Sequence, residues 1–251
     1  MTARWKTAWI TGASTGIGRE LALLLAAKGV RVAVSARGTD KLDELAGLSG
    51  NILAVPMDVT DVVAVRQAYD RIRLEFGPID LAVLNAGVWD PMGADDFNAG
   101  RAARSMAVNY TGIANALEPV IEGMISRRAG HIALVASVAG YRGLPKAAAY
   151  APSKAAVISL AEVLRLDLAR HDVRVSLINP GFVATPMTSV NTFPMPFMIT
   201  APDAALRIVR GLERGHFEIA FPWQLVAMLK LLRVLPYPMY FSLARRLMPK
   251  N

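Results

Sequence analysis

Seven short runs rich in Val, Ile and Leu punctuate this chain, and longer stretches of helical period lie between them. The runs fall at 6–11, 31–35, 51–55, 80–84, 130–136, 173–178 and 216–220. The helical segments fall at 16–28, 40–48, 61–76, 101–126, 150–170 and 201–213. Strands that alternate with helices return through right-handed crossovers and lie parallel. The expected fold is therefore α/β, a doubly wound parallel seven-stranded sheet in a single domain. Helix starts are expected at Thr60–Asp61 and Pro202–Asp203, where a capping side chain or a first-turn proline and acid occur. Gly29, Gly77 and Gly130 fall at helix ends, where a left-handed residue is called for. No repeat or linker divides the chain. Residues 1–220 read as its body, and 221–251 as an apolar, basic extension of the same domain.

With 251 residues, 53% of them hydrophobic, the chain is long enough to bury a full core. It has no cysteine, which excludes disulfides, thiolate metal sites and cysteine nucleophiles. His131, His171 and His216 have no ligand-like spacing, so no metal site is expected. The net charge of +8 is uneven: residues 219–251 hold five basic residues and no acid, leaving only +3 on the rest. That distribution argues against a nucleic-acid surface and directs attention to the extension. No basic-then-apolar leader precedes the first run, and no apolar run reaches the ~18 residues of a spanning helix. A cytoplasmic protein is expected, with membrane association of the extension left open.

Directly after the first run comes TGASTGIG, with Gly12, Gly16 and Gly18 ahead of an apolar helix. A glycine at the strand end allows a tight turn. A glycine at the helix start lets backbone N–H groups close on a pyrophosphate at the positive end of the helix. Ser14, Thr15 and Ile17 complete this candidate cradle. Arg37 ends the second run, 19 residues after Gly18, near the distance at which a carboxylate would hold the 2′-hydroxyl of NAD. A guanidinium there pairs with a 2′-phosphate instead, which favours NADP (NADPH) over NAD.

TGASTGIG at 11–18, NAG at 85–87, Asn109, Ser137, YAPSK at 150–154 and PG at 180–181 together resemble the short-chain dehydrogenase/reductase family, in its single-domain members. The resemblance covers most of residues 5–220 and implies a Rossmann-type fold and hydride transfer to or from a nicotinamide. Tyr150 and Lys154 stand one helical turn apart on one face. An unperturbed phenol, with a pKa near 10, is a poor base at neutral pH, and the ammonium of Lys154, together with the positive charge of an oxidised nicotinamide, is expected to lower it. Ser137, at a strand end, is placed to hold the substrate oxygen beside Tyr150. The resemblance also implies that Lys154 reaches the ribose hydroxyls and that Asn109 holds a water of a proton relay. It puts Asp58 and Val59 beside the adenine, and Asn85, Ala86 and Gly87 along the adenosine half. Pro180, Gly181, Val183 and Thr185 would border the nicotinamide. Leu84 departs from the family pattern, since many members carry an asparagine before this NAG segment.

The segment 185–203, rich in Met, Phe and Pro and without an acid before Asp203, is expected to form a flap over the substrate. Trp89 is a candidate for the opposite wall, with Tyr141 a weaker one. An adaptable apolar wall suits a small hydrophobic alcohol or ketone. The extension 223–251, broken by Pro236 and Pro238, suits a peripheral membrane contact, a subunit interface or a cover for the cleft. A homodimer or homotetramer is implied by the resemblance. Two alternatives to the alcohol/ketone reading are a 3-oxoacyl-thioester reductase and a catalytically silent, cofactor-binding regulatory protein.

Overall fold

Branched side chains along the apolar runs favour extended backbone and leave no polar face, as a sheet covered on both sides demands. In the computed structural model, which describes residues 4–245, these runs form β1 (Thr7–Thr11), β2 (Arg31–Ser35), β3 (Ile52–Ala54) and β4 (Leu81–Leu84). They continue as β5 (Gly130–Val135) and β6 (Val173–Pro180). After two short strands, β7 (Val183–Ala184) and β8 (Ile199–Thr200), the series ends with β9 (Glu218–Phe221). The seven main strands pair in parallel in the order β3-β2-β1-β4-β5-β6-β9. The chain reverses its winding between β1 and β4, which opens a crevice at their carboxyl ends.

Period-two alternation sorts the strand side chains onto two faces. Trp9, Ala82, Leu84, Ile132 and Leu134 point to one cluster, and Ala8, Ile10, Leu81, Val83 and Ala133 to the other. Leu84, the departure from the family pattern, is a fully buried core residue. The second face is covered by α1 (Gly16–Ala27), α2 (Asp40–Gly47) and α7 (Ala201–Arg214). The first is covered by α3 (Val62–Phe76), α5 (Gly112–Ser126) and α6 (Tyr150–Asp167). Each large side chain fully buried here contributes about 1.5–3 kcal/mol. Asp61 caps α3 by accepting the Val63 and Ala64 N–H groups, and Thr200 caps α7 by accepting that of Asp203. Such caps contribute about 1 kcal/mol each. Gly29 and Gly77 take the positive φ expected of them, whereas Gly130 opens β5.

The expected helix over 101–126 is divided. It consists of α4 (Ala99–Met106), a π-helical segment (Ala107–Thr111) and α5. The wider turn falls where Asn109 is drawn inward, fully buried, to bond the backbone of Val88.

The extension forms α8 (Trp223–Val234) and α9 (Tyr237–Ala244). Leu225, Leu229, Leu232 and Tyr240 are buried in the cluster on the first sheet face. Arg142 donates to the carbonyls of Arg233 and Leu235, and the Tyr240 hydroxyl donates to that of Gly143. Glu218 on β9 accepts from three segments at once: the Tyr141 hydroxyl, the Asn179 amide and the Lys230 ammonium. Burial would raise the Glu218 carboxyl, but these donors outweigh it and hold the group below its usual range. Residues 246–251, with Arg246 and Lys250 of the basic extension, lie outside the described residues. Among the described residues no helix is long and apolar enough to cross a membrane.

Candidate active site

The turn after β1 is held by contacts that leave no room for side chains. Gly12 has φ +66°, and a Cβ on it would stand 2.7 Å from Ala86 Cα. A Cβ on Gly18 would lie 2.5 Å from the Gly12 carbonyl oxygen, and one on Gly16 only 3.0 Å from Thr185. The backbone can therefore approach a ligand directly, at the N-terminus of α1. The NAG segment is stitched to this turn. Thr11 Oγ1 accepts from the backbone N–H groups of Asn85 (3.0 Å) and Ala86 (3.1 Å). The Asn85 amide donates back to the carbonyls of Thr11 (3.1 Å) and Gly12 (3.0 Å). Asn85 thus shapes the cradle as well as lining it. Thr11 did not stand out in the sequence, because its partners lie 74 and 75 residues away.

A cleft of about 620 Å³ runs from this turn across the carboxyl ends of the strands. One end is lined by Gly12, Ser14, Thr15, Gly16 and Ile17, together with Arg37, Asp58 and Val59. Asn85, Ala86 and Gly87 line its middle, and Ser137, Tyr150, Lys154, Pro180, Gly181, Val183 and Thr185 the far end. Gly18 and Asn109 stand behind the wall. Ala36, Gly38, Met57 and Val108, which were not named as site candidates, also border the cleft, as do Met187 and Thr188 of the expected flap. The Thr60 backbone N–H, at 2.9 Å, and its hydroxyl, at 2.8 Å, bond the Asp58 carboxylate and hold it below the usual range. Arg37 adds to that effect through space, so both charges meet at this end of the cleft.

At the far end, α6 begins at Tyr150 and presents Lys154 one turn on. Lys154 is buried, and its ammonium donates to the Val135 carbonyl at 2.9 Å. Burial lowers Lys154 to about 8 and raises Tyr150 to about 12. The Ser137 hydroxyl pulls the phenol back down, but less than burial raises it. The expectation that the lysine lowers the phenol is thus not met here. The lysine turns to a carbonyl, with Nζ 5.7 Å from the Tyr150 ring centroid, and desolvation outweighs its field. Ser137 accepts from the Ala139 N–H (3.1 Å) and donates to the Pro180 carbonyl (3.3 Å), which fixes its rotamer beside the phenol.

Asn109 is committed at both ends of its amide. Its Oδ1 accepts from the Val88 N–H (2.7 Å), and its Nδ2 donates to the Val88 carbonyl (3.0 Å) and to Ser153 Oγ (2.9 Å). Ser153 in turn donates to the Tyr150 carbonyl at 2.7 Å, another link without a local sequence signal. Trp89 meets the Tyr150 ring edge-on, with centroids 4.9 Å apart, and its indole N–H donates to Asn191 Oδ1 in the flap at 2.7 Å. Tyr141, the weaker wall candidate, points instead to Glu218. The flap is the loop between β7 and β8, shorter than expected because α7 already begins at Ala201.

A family model described as short chain dehydrogenase matches residues 6–193. The chain belongs to the short-chain dehydrogenase/reductase family. It is an oxidoreductase of that family, and its relatives agree. An uncharacterized oxidoreductase of Myxococcus xanthus is 40% identical, over 97% of this chain and 98% of that one. A 3-oxoacyl-[acyl-carrier-protein] reductase of Thermotoga maritima is 34% identical, over 75% and 78% respectively. Among solved structures, a short chain dehydrogenase from Burkholderia cenocepacia, in complex with NADP, superposes with a TM-score of 0.84. It is 27% identical, and the match covers 100% of both chains. The glycine cradle, the parallel sheet and the Ser137–Tyr150–Lys154 cluster are thus read within a known dehydrogenase/reductase family.

Proposed function

We propose that this short-chain dehydrogenase/reductase uses NADP to interconvert a lipophilic secondary alcohol and its ketone, with Tyr150 as general acid and base. The observation that carries this reading is one continuous cleft, with a side-chain-free cradle and Arg37 at one end and Ser137, Tyr150 and Lys154 at the other. The cradle fits a dinucleotide. The glycines leave space where any Cβ would clash, the N-terminus of α1 faces anionic groups, and Arg37 suits a 2′-phosphate. A bound nicotinamide supplies or accepts the hydride.

The chain's own residues handle the oxygen and its proton. Ser137 would turn its single proton from the Pro180 carbonyl, a long bond of 3.3 Å, to the substrate oxygen and hold it beside the phenol. In reduction, Tyr150 gives its proton to that oxygen as negative charge develops there; in oxidation, it takes the hydroxyl proton. Lys154, with Nζ 5.7 Å from the Tyr150 ring centroid, offers a positive charge to the phenolate left behind. Gly87 lets Lys154 and Asn109 approach: a Cβ there would stand 3.4 Å from Nζ and 3.1 Å from Oδ1. A proton relay through Asn109 would run through its backbone carbonyl, because its side chain is fully engaged.

The wall over Tyr150 favours apolar substrates. Trp89 lies on the tyrosine ring, Met187 borders the cleft, and Phe193 packs on Phe182 at 6.1 Å. The Thermotoga relative supports a second reading, reduction of a 3-oxoacyl thioester. Purified protein with NADPH, assayed against hydrophobic ketones and 3-oxoacyl thioesters, separates the two. Tyr150→Phe should lower turnover of the accepted substrate by about 10²–10⁴-fold. Equal rates for both proteins would remove Tyr150 from the chemistry, and no turnover of any ketone or thioester would favour a silent, regulatory fold.

A further inference from the structure

The outer face of α8 is as apolar as its inner one. Leu225, Leu229 and Leu232 point into the core, while Trp223, Leu231 and Val234 stand on the opposite side, 72%, 64% and 75% exposed. Residues 223, 227, 231 and 234 share one helical face, and the remaining member of that stripe is Ala227. A helix with apolar stripes on two opposite sides is ordinarily covered on both. Within this chain α8 is covered on one. Beyond Pro236, α9 continues the surface with Met239 and with Tyr237 stacked on Phe241, centroids 5.7 Å apart.

This surface is tied to segments that flank the cleft. Arg142 lies in the loop between Ser137 and Tyr150 and bonds the carbonyls that join α8 to α9. On the flap side, Phe193 packs on Phe182, which shares a cluster with Leu225 and Leu229. The flap exposes Val190, Phe197 and Met198. Charge completes the pattern, since residues 219–251 contain no acid and the described part carries Lys230, Arg233 and Arg245.

We propose that α8 and α9 seat this enzyme on an anionic lipid bilayer. Trp223, Leu231, Val234, Tyr237 and Phe241 would enter the boundary between headgroups and acyl chains, with Arg233 and Arg245 facing lipid phosphates. A second copy of the chain is the other occupant to weigh. A two-fold contact would set the patch against itself and bring its basic groups together. A bilayer instead offers the opposite charge and an interface that suits Trp and Tyr. Two short helices separated by proline and joined at the core can lie flat on such a surface. Seated there, the cleft rim meets lipophilic substrate where it is dissolved. That consequence rests on the ketone reading above, but lipid binding itself does not.

The test is co-sedimentation of the full chain with phosphatidylcholine vesicles, with and without phosphatidylglycerol. The wild-type protein should bind the anionic vesicles at least tenfold better, and added salt should release it. Trp223→Gln/Leu231→Gln/Val234→Gln and, separately, Arg233→Glu/Arg245→Glu should each lose at least tenfold in vesicle binding. Both should bind NADPH as the wild type does, since none of these residues lines the cleft. Unchanged pelleting of the triple variant would overturn the proposal. So would a wild type that ignores anionic vesicles, or a triple variant that only changes oligomeric state in light scattering. Because the readout is lipid binding, loss of the ketone reading would leave this result standing, and the reverse holds as well.

Discussion

At the scale of single residues, Lys154 carries the most testable electrostatics. Its folded-state value of about 8 lies below the ordinary 10.5, so charging it in the buried site opposes folding. Between those values the unfolded chain holds a proton that the folded chain has lost, and stability of the cofactor-free protein rises with pH. Tyr150 adds the opposite trend only above 10, because its folded value of about 12 keeps it protonated there. Melting temperature measured from pH 8 to 10 should therefore climb in the wild type relative to Lys154→Met, by at most ~1.4 kcal/mol per pH unit in stability. A parallel pair of curves would show that the lysine is hydrated. At the other end of the cleft, Arg37→Ser removes a charge-assisted contact of about 1.5–3 kcal/mol. NADPH affinity in fluorescence titration should fall roughly 10–100-fold, with NADH little changed. The Tyr150–Lys154 pair was legible because its partners sit four residues apart on one helix. The upward shift of Tyr150 was not, since burial belongs to the packed molecule and no local pattern encodes it.

At the scale of elements, the bond from the Trp89 indole to Asn191 ties the flap to the wall over Tyr150. Asn191→Ala removes a contact of about 0.5–1.5 kcal/mol, so KM for the ketone should rise roughly two- to tenfold with cofactor affinity unchanged. Trp89→Phe keeps an aromatic edge on Tyr150 but loses the N–H, and it should produce a similar rise. The double variant should be no worse than either single one, which a double-mutant cycle reads directly. Additive losses would show that the two residues act separately. Strand positions were legible within two residues because apolar runs and intervening helical periods mark them without reference to the rest of the chain. The π-helical segment was hidden, because the apolar pattern of 101–126 passes through it without a break. It coincides with the bond between the Asn109 amide and Val88, 21 residues away.

At the scale of the whole molecule, the extension is packed as core. Leu229 is buried against the first sheet face, so Leu229→Ala should cost about 2–5 kcal/mol. For a chain of this size that corresponds to roughly 4–20 °C in melting temperature. The shift should appear in a single transition recorded by calorimetry. A separate, earlier transition would mean that α8 and α9 unfold on their own. The composition of the extension pointed to an unusual surface, but its attachment could not be read, because Arg142 and Gly143 lie 91 and 97 residues from their partners in it. Glu218 gives that attachment a mechanical meaning. Its carboxylate grips Lys230 of α8 on one side and Asn179 on the other, and Pro180 and Gly181 of the cleft follow Asn179 directly. A load placed on the outer helix therefore has a path to the floor of the cleft through this carboxylate, beside the direct packing of Leu225 against Gly181.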